Sequence, residues 1–346
     1  GNQLRRSVVI SMYRLCVIPG DGIGREVVPV AVRALQRLLP GLQTIQLEAG
    51  WDCFTRHGTS VPQATLEQLR EHGAGLFGAV SSPSGAVPGY RSAILTLRQQ
   101  LDLYLNLRPV RSLPGVSTRD DVDLLLLREN TECLYVGRER MLGDDVTIAE
   151  RQISRRASER LAACAVALAP QRQPRRITLV HKANVLPLTC GLFRDSCRSV
   201  LEAAGLSALV DERLVDVAAL QLVQEPQNFD MLLTTNLFGD ILSDLASHWG
   251  GGLGLAPSLN LGDGIALAEP VHGSAPDIAG TGRANPAAAL LSAALLLRHH
   301  WHLPEQAALL ESAVDAALAL LAGQSTGTRT TALVEQRVLE HLQRLA

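Results

Sequence analysis

The run Met231 to Asp244, MLLTTNLFGDILSD, joins the two periodicities from which an α/β protein is built. Its first half reads as a short apolar strand ending at Thr-Thr-Asn, Gly239 as a turn, and the remainder as a helix carrying Asp240 and Asp244. Four residues apart on a helix, those two carboxylates share one face. Like charges at that spacing cost an isolated helix roughly 0.2–0.5 kcal/mol, so the pair predicts a cation near a strand's carboxyl end. Donors made only of oxygen suit a hard ion, magnesium or manganese, rather than zinc. The alternative reading is a pair of solvated acids on an exposed face.

The rest of the chain repeats the strand–helix alternation of a largely parallel sheet covered on both faces. Arg14 to Pro19 is a strand, Thr44 to Ala49 another, Pro62 to His72 a helix and Gly75 to Val80 a buried strand. The turn GDGIG after the first strand invites a dinucleotide-fingerprint reading. Its spacing is wrong, because Arg25 stands where the last glycine of G-x-G-x-x-G belongs, and a plain tight turn explains the glycines. From Asn106 the strand-like LNLRPV and VDLLLLRENTECLYV open a second domain, with Gly143 to Ile153 as a projecting arm. Helix Ser158 to Ala169 and strand Ile177 to His181 follow it. The glycine-dense HWGGGLGLAPSLNLGDG marks the return to the first domain, and Ala-Leu-rich helices run from Pro286 to the end.

Charge is balanced at 32 basic against 34 acidic residues, so no field would hold a nucleic acid or an anionic membrane surface. An anionic substrate must be met by local groups. The longest nearly apolar stretch, Ala287 to Leu297, is short of the roughly 20 residues a bilayer requires. The 6 cysteines show no C-x-x-C pair, which points to a reducing cytoplasm rather than to zinc or a disulfide framework. GNQLRRSVVIS, residues 1–11, reads as an extension before a start at Met12.

Three arginines stand out. Arg98 lies on the helix after a Gly/Pro/Ser-rich loop, Arg108 follows a strand, and Arg128 ends the run LLLL. A guanidinium at the end of a buried strand needs an anion, and three of them suggest a substrate with several carboxylates. Structural salt bridges are the alternative for each. Lys182 follows an apolar strand, and an ammonium near other cations yields its proton more readily, which makes it a candidate base. Tyr135 is the candidate acid.

GDGIG, LRQQLDLYLNLRP, RENTECLYV, HKANVLPL, TTNLFGDILSDLA and EPVHGSAPDIAGTGRANP, in this order, resemble the β-decarboxylating dehydrogenases of the isocitrate and isopropylmalate type. The resemblance implies a two-domain α/β fold of their own kind, not a Rossmann fold. Residues 12–101 with 254–346 would form the large domain, 102–253 the small one, and about 136–153 the arm. It implies that Arg98, Arg108 and Arg128 hold the malate part of the substrate, that Tyr135 is the acid, and that Lys182 from the partner is the base. Asp240 and Asp244 would bind the metal together with Asp216 of the partner subunit, which requires a homodimer or higher oligomer. The expected cofactor is NAD, because Asp277 would accept hydrogen bonds from the adenosine ribose and repel a 2′-phosphate, and Ile278 stands where NADP-using relatives have Tyr. Glu269, His272, Gly273, Ser274, Ala275 and Asn285 match other cofactor contacts, and Asn184 the nicotinamide side.

Substrate choice in this family lies in the stretch VPGYRSAILTLR, which resembles homoisocitrate enzymes most closely. Ser92 matches a distal-carboxylate serine of isocitrate enzymes, but Ile94 replaces its companion asparagine. Ile94 and Leu95 resemble the apolar contacts of isopropylmalate enzymes, yet Arg91 stands where those carry an acid. Arg91, Tyr90 or Ser92 is therefore expected to read a distal carboxylate, making homoisocitrate the expected substrate. Isocitrate, 3-isopropylmalate, broad specificity among the three, or a catalytically silent regulatory subunit are the alternatives. Cys133 departs from the family by replacing a glycine beside the acid, and Val217 occupies an often polar position.

Overall fold

The computed structural model describes residues 12–345; the expected extension at 1–11 lies outside the described residues. The chain begins β1 (Arg14–Gly20), α1 (Gly24–Leu38), β2 (Gln43–Gln46), α2 (Trp51–His57), α3 (Gln63–His72), β3 (Ala74–Ala79) and α4 (Ala93–Gln100). It continues through β4 (Leu105–Arg111), β5 (Asp123–Glu129), β6 (Glu139–Leu142), β7 (Val146–Ala149), α5 (Arg155–Arg172), β8 (Ile177–His181), α6 (Thr189–Ala203), β9 (Val210–Leu214) and α7 (Val215–Gln224). The last elements are β10 (Met231–Thr234), α8 (Asn236–Ser247), β11 (Pro257–Gly262), β12 (Ile265–Pro270), α9 (Ala287–Leu295), α10 (Pro304–Leu321) and α11 (Thr330–Leu345).

Ten strands form one sheet in the order β2-β1-β3-β12-β11-β4-β5-β10-β8-β9. Most neighbours are parallel, as buried Val/Leu-rich strands linked by helices require. The exception is the middle, where β11 runs antiparallel to both β12 and β4, and β4 antiparallel to β5. One half of the sheet comes from the two ends of the chain and the other from its middle, and β11–β4 is the seam between them. α9 is buried along its whole length against the sheet, which explains its continuous Ala-Leu sequence. Residues 136–153, expected as an arm, contain the two-stranded hairpin β6–β7, whose apolar Met141, Leu142 and Val146 are exposed.

Local differences from the sequence expectations have physical causes. Gly239 is not a turn but lies inside α8, where a Cβ would stand 2.6 Å from Cγ of Arg128. The strand expected through RENTECLYV stops at Glu129, whose buried carboxylate accepts the backbone N–H groups of Thr131 and Glu132 and closes a tight turn. Tyr135 therefore sits on a single 3-10 turn. Cys133, just before it, holds a φ of 71°, the glycine region, with its backbone paired to Gln152. Cysteine there carries strain of about 1–3 kcal/mol while the backbone keeps the path a glycine would give it. Helix α2 is absent from the sequence expectations; it is only 7 residues long and buries only Cys53.

Candidate functional site

Register across the sheet builds the centre of the site. Asn260 on β11 pairs with Asn106 on β4, Asn106 with Arg128 on β5, and Arg128 with Thr234 on β10. Residues in register point to the same face, so these four form a row beneath the carboxyl ends of β5 and β10. Arg108, two residues beyond Asn106, joins that face, and Arg98 reaches it from α4. All three arginines are buried, Arg128 at 1% exposure.

Burying three guanidiniums together is tolerable only with fixed polar partners. Asn260 supplies much of this: its Oδ1 accepts from Nε of Arg98 (3.2 Å), Nδ2 of Asn106 (3.0 Å) and Nδ2 of Asn130 (3.0 Å). Asn106 in turn accepts from Nε of Arg108 at 2.6 Å. Glu269 on β12 takes Nη2 of Arg98 at 2.7 Å and Nδ2 of Asn260 at 3.0 Å, so its carboxylate is engaged by the arginine network rather than by the loop that follows it. Sequence reasoning missed this amide network. Its signal was the tripeptide Leu-Asn-Leu, which occurs at Leu105–Leu107 and again at Leu259–Leu261, each placing an amide in a buried strand.

Opposite the arginines, α8 presents the acid pair. Asp240 lies 3.2 Å from Nη1 of Arg128, and Asp244 lies 3.5 Å from Nη1 of Arg108, which also donates to Ser243 Oγ at 2.7 Å. Burial first, and then the neighbouring arginines, push Arg128 down to about 10, and burial followed by Arg98 lowers Arg108. Burial raises Asp244, with Asp240 adding to the rise and Arg108 opposing it. The Tyr135 hydroxyl donates to Oδ2 of Asp240 at 3.1 Å, and Arg128 lies 5.3 Å from the ring centroid. Burial, the first cause, and Asp240 raise the phenol while Arg128 lowers it; the net direction is upward.

Carboxylate oxygens that are half exposed and repel one another fit a hard divalent cation. One chain provides only this pair: among the described residues no cluster of three His, Cys, Asp or Glu side chains forms. Lys182 and Asp216, expected to reach this site from the partner subunit, pair with each other at 2.6 Å between the end of β8 and the start of α7, which lowers Asp216 through the lysine's hydrogen bond. Asn184 follows Lys182 in the same exposed turn.

The loop from His272 to Asn285 lies against the GDGIG turn. Ile23 N–H donates to Ser274 O at 2.8 Å, a Cβ at Gly22 would lie 2.1 Å from that oxygen, and Glu26 accepts the N–H groups of Gly280 and Gly282. These contacts leave Gly273 and Asp277 exposed and Ile278 half-buried, with Ala275 at a φ of 42°. Asn285 receives Ala287 N–H at 3.0 Å. Burial lowers His272, and its Nε2 is buried without a partner among the described residues, an orphaned nitrogen that an incoming dinucleotide could satisfy. Ser92 stands at the start of α4 with its hydroxyl capping nothing, Arg91 is exposed, and Ile94 packs on the core beside half-buried Leu95.

A sheet of this order, with a guanidinium cluster facing an acid pair at its seam, has the make-up of an α/β enzyme acting on small acidic molecules. The family described as Isocitrate/isopropylmalate dehydrogenase matches residues 14–340, and the chain belongs to it. It is thus a dehydrogenase of a family that decarboxylates hydroxy acids oxidatively. It is 50% identical over 337 residues to the isocitrate/homoisocitrate dehydrogenase of Thermus thermophilus, covering 96% of this chain and 99% of that one. It is 46% identical over 298 residues to the homoisocitrate dehydrogenase of Methanocaldococcus jannaschii, covering 82% and 84%. The crystal structure of isocitrate dehydrogenase from Methylococcus capsulatus superposes with a TM-score of 0.89 at 38% identity over 96% of this chain and 100% of that one. No helix among the described residues is long and apolar enough to cross a membrane.

Proposed function

We propose that the protein is an NAD-dependent, divalent-metal-dependent homoisocitrate dehydrogenase that converts homoisocitrate to 2-oxoadipate and carbon dioxide. The observation that carries this reading is the buried trio Arg98, Arg108 and Arg128 turned toward Asp240, Asp244 and Tyr135. The exposed Arg91 favours a substrate with a distal carboxylate over 3-isopropylmalate, because a cation there suits a carboxylate better than an isopropyl group. Between the two such substrates, homoisocitrate is supported over isocitrate by its place in the names of both curated relatives above and by Ile94 at the position of the isocitrate enzymes' asparagine.

In this reading Arg98, Arg108 and Arg128 hold the malate carboxylates, with Asn106 and Asn260 fixing the guanidinium planes. Magnesium or manganese on Asp240, Asp244 and Asp216 of the partner subunit would supply positive charge beside the developing alkoxide and enolate, and the nicotinamide would accept the hydride. Lys182 of the partner subunit takes the proton of the substrate hydroxyl as it is oxidised to a ketone. Loss of the β-carboxylate as carbon dioxide leaves an enolate, and Tyr135 returns a proton to carbon. Asp277 and Ile278 favour NAD over its 2′-phosphate. His272, Gly273, Ser274, Ala275, Asn285 and Asn184 complete the cofactor's surroundings.

A site shared between two chains implies a homodimer. Support comes from an exposed apolar stripe on α7 and α8, Val217, Leu220, Val223 and Ile241, and from the exposed apolar arm. The sheet halves on either side of the β11–β4 seam are proposed as the two domains, 12–101 with 254–346 and 102–253, and the six free cysteines support a cytoplasmic location. Two experiments test the reading. Initial rates with NAD and manganese should favour homoisocitrate over isocitrate, 3-isopropylmalate and tartrate, and Arg91→Glu should depress homoisocitrate turnover much more than that of isopropylmalate; equal losses reject the specificity assignment. Mixing and re-equilibrating inactive Lys182→Met and Asp240→Asn proteins should restore about a quarter of wild-type activity, since only the hybrid dimer holds one intact site. No recovery despite hybrid formation rejects the shared site.

A further inference from the structure

Helix α2, which the sequence concealed, underlies the loop between β3 and α4 that carries Arg91 and Ser92. The chain has only 3 Trp, 4 Tyr and 5 Phe, yet one of each meets here. Trp51 and Phe54 stack at 5.6 Å on α2, and the Tyr90 ring stands edge-on to both, at 5.2 and 5.3 Å. Edge-to-face contacts of this kind contribute beyond simple area burial. Two hydrogen-bonded anchors flank the rings. Buried Asp21 accepts N–H groups from Trp51 (2.8 Å), Asp52 (2.9 Å) and Ser81 (2.9 Å), tying the first turn of α2 to the start of the loop. At the other end Ser60 Oγ donates to the Arg91 carbonyl at 2.6 Å. Between them the loop is little supported: a Cβ at Gly85 or Gly89 would meet nothing within 4 Å.

We propose that Trp51, Phe54 and Tyr90, clamped by Asp21 and Ser60, form a positioning unit that fixes the direction of Arg91 and Ser92 and thereby sets which distal substituent the enzyme accepts. This rests on the homoisocitrate reading. The Tyr90 ring is thus an anchor rather than a substrate contact, leaving Arg91 and Ser92 to read the distal carboxylate. Trp51 and Phe54 act only through the loop.

Phe54→Ala removes one ring from the trio, and Phe54→Tyr restores it. Trypsin cleavage after Arg91 reports loop order without any catalytic readout. Phe54→Ala should be cut there on the order of 10-fold faster than wild type and should raise the KM for homoisocitrate by a similar factor, with kcat and the KM for 3-isopropylmalate changed much less. Phe54→Tyr should match wild type in both assays. Unchanged cleavage in Phe54→Ala, faster cleavage with no selective rise in the homoisocitrate KM, or a Phe54→Tyr protein as impaired as Phe54→Ala would each overturn the proposal. A wild-type protein inert toward every hydroxy acid defeats the functional reading, and with it the selectivity claim, whereas the cleavage comparison separately decides whether the trio holds the loop.

Discussion

Gly239→Ala sets two physical effects of opposite sign against each other. Alanine in a helix interior is favoured over glycine by about 0.8–1.0 kcal/mol, so propensity alone makes the variant more stable. The position is, however, pressed against Arg128: the added Cβ would lie 2.6 Å from its Cγ, 2.8 Å from its Cβ and 3.1 Å from its Cδ. Ordinary contact begins at 3.4 Å, so α8 and the Arg128 side chain must separate by about 0.8 Å. Arg128 cannot yield freely, because its Nε is held by the backbone and side-chain oxygens of Asn236 at 2.9 and 3.0 Å and its Nη1 by Asp240. Overpacking a site this constrained costs about 1–3 kcal/mol, which outweighs the propensity gain and leaves a net loss of about 1 kcal/mol. A guanidinium displaced by most of an ångström should lower kcat/KM by about 10- to 100-fold. Urea unfolding should therefore show a lower midpoint with an unchanged slope, and steady-state kinetics with homoisocitrate a reduced kcat/KM. A higher midpoint together with wild-type kinetics would refute the assignment of Gly239 to the close approach of α8 and Arg128.

Other expectations follow from single features. His299, in the π-helical turn after α9, is pushed down to about 4 by burial first and then by Arg298 and His302. The unfolded chain then binds more protons between about pH 6.5 and 4, so this contribution is complete above that window and lost on acidification through it. The loss by pH 4.5 is about 2–3 kcal/mol, and unfolding of His299→Gln should be less pH-dependent over that range. Ile241→Glu, placing a charge in the exposed stripe on α8, should shift the protein to a monomer in analytical ultracentrifugation and abolish turnover; an active monomer would contradict the shared site. Asp277→Lys combined with Ile278→Tyr should reverse the proposed preference for NAD over NADP in kcat/KM, and an unchanged preference would remove Asp277 from cofactor discrimination.

Local pattern made much of this protein legible in advance. Apolar strands, helical periodicity and the order of the motifs were enough for the α/β class, because each is encoded within ten or twenty residues. The acid pair on α8 was readable for the same reason: a spacing of four on a helix puts two side chains on one face in any context. Tertiary structure decided the rest. Gly239 looked like a turn because only the approach of Arg128, 111 positions earlier in the chain, excludes a side chain there. Asn260 became the hub of the buried arginines through the register of β11 on β4, a pairing across more than 150 residues that no local window contains. α2, at 7 residues, is too short a run to show helical periodicity, and its role exists only where Tyr90 meets Trp51 and Phe54. Periodicity is a property of neighbouring residues, whereas register and close approach arise only once distant segments have packed.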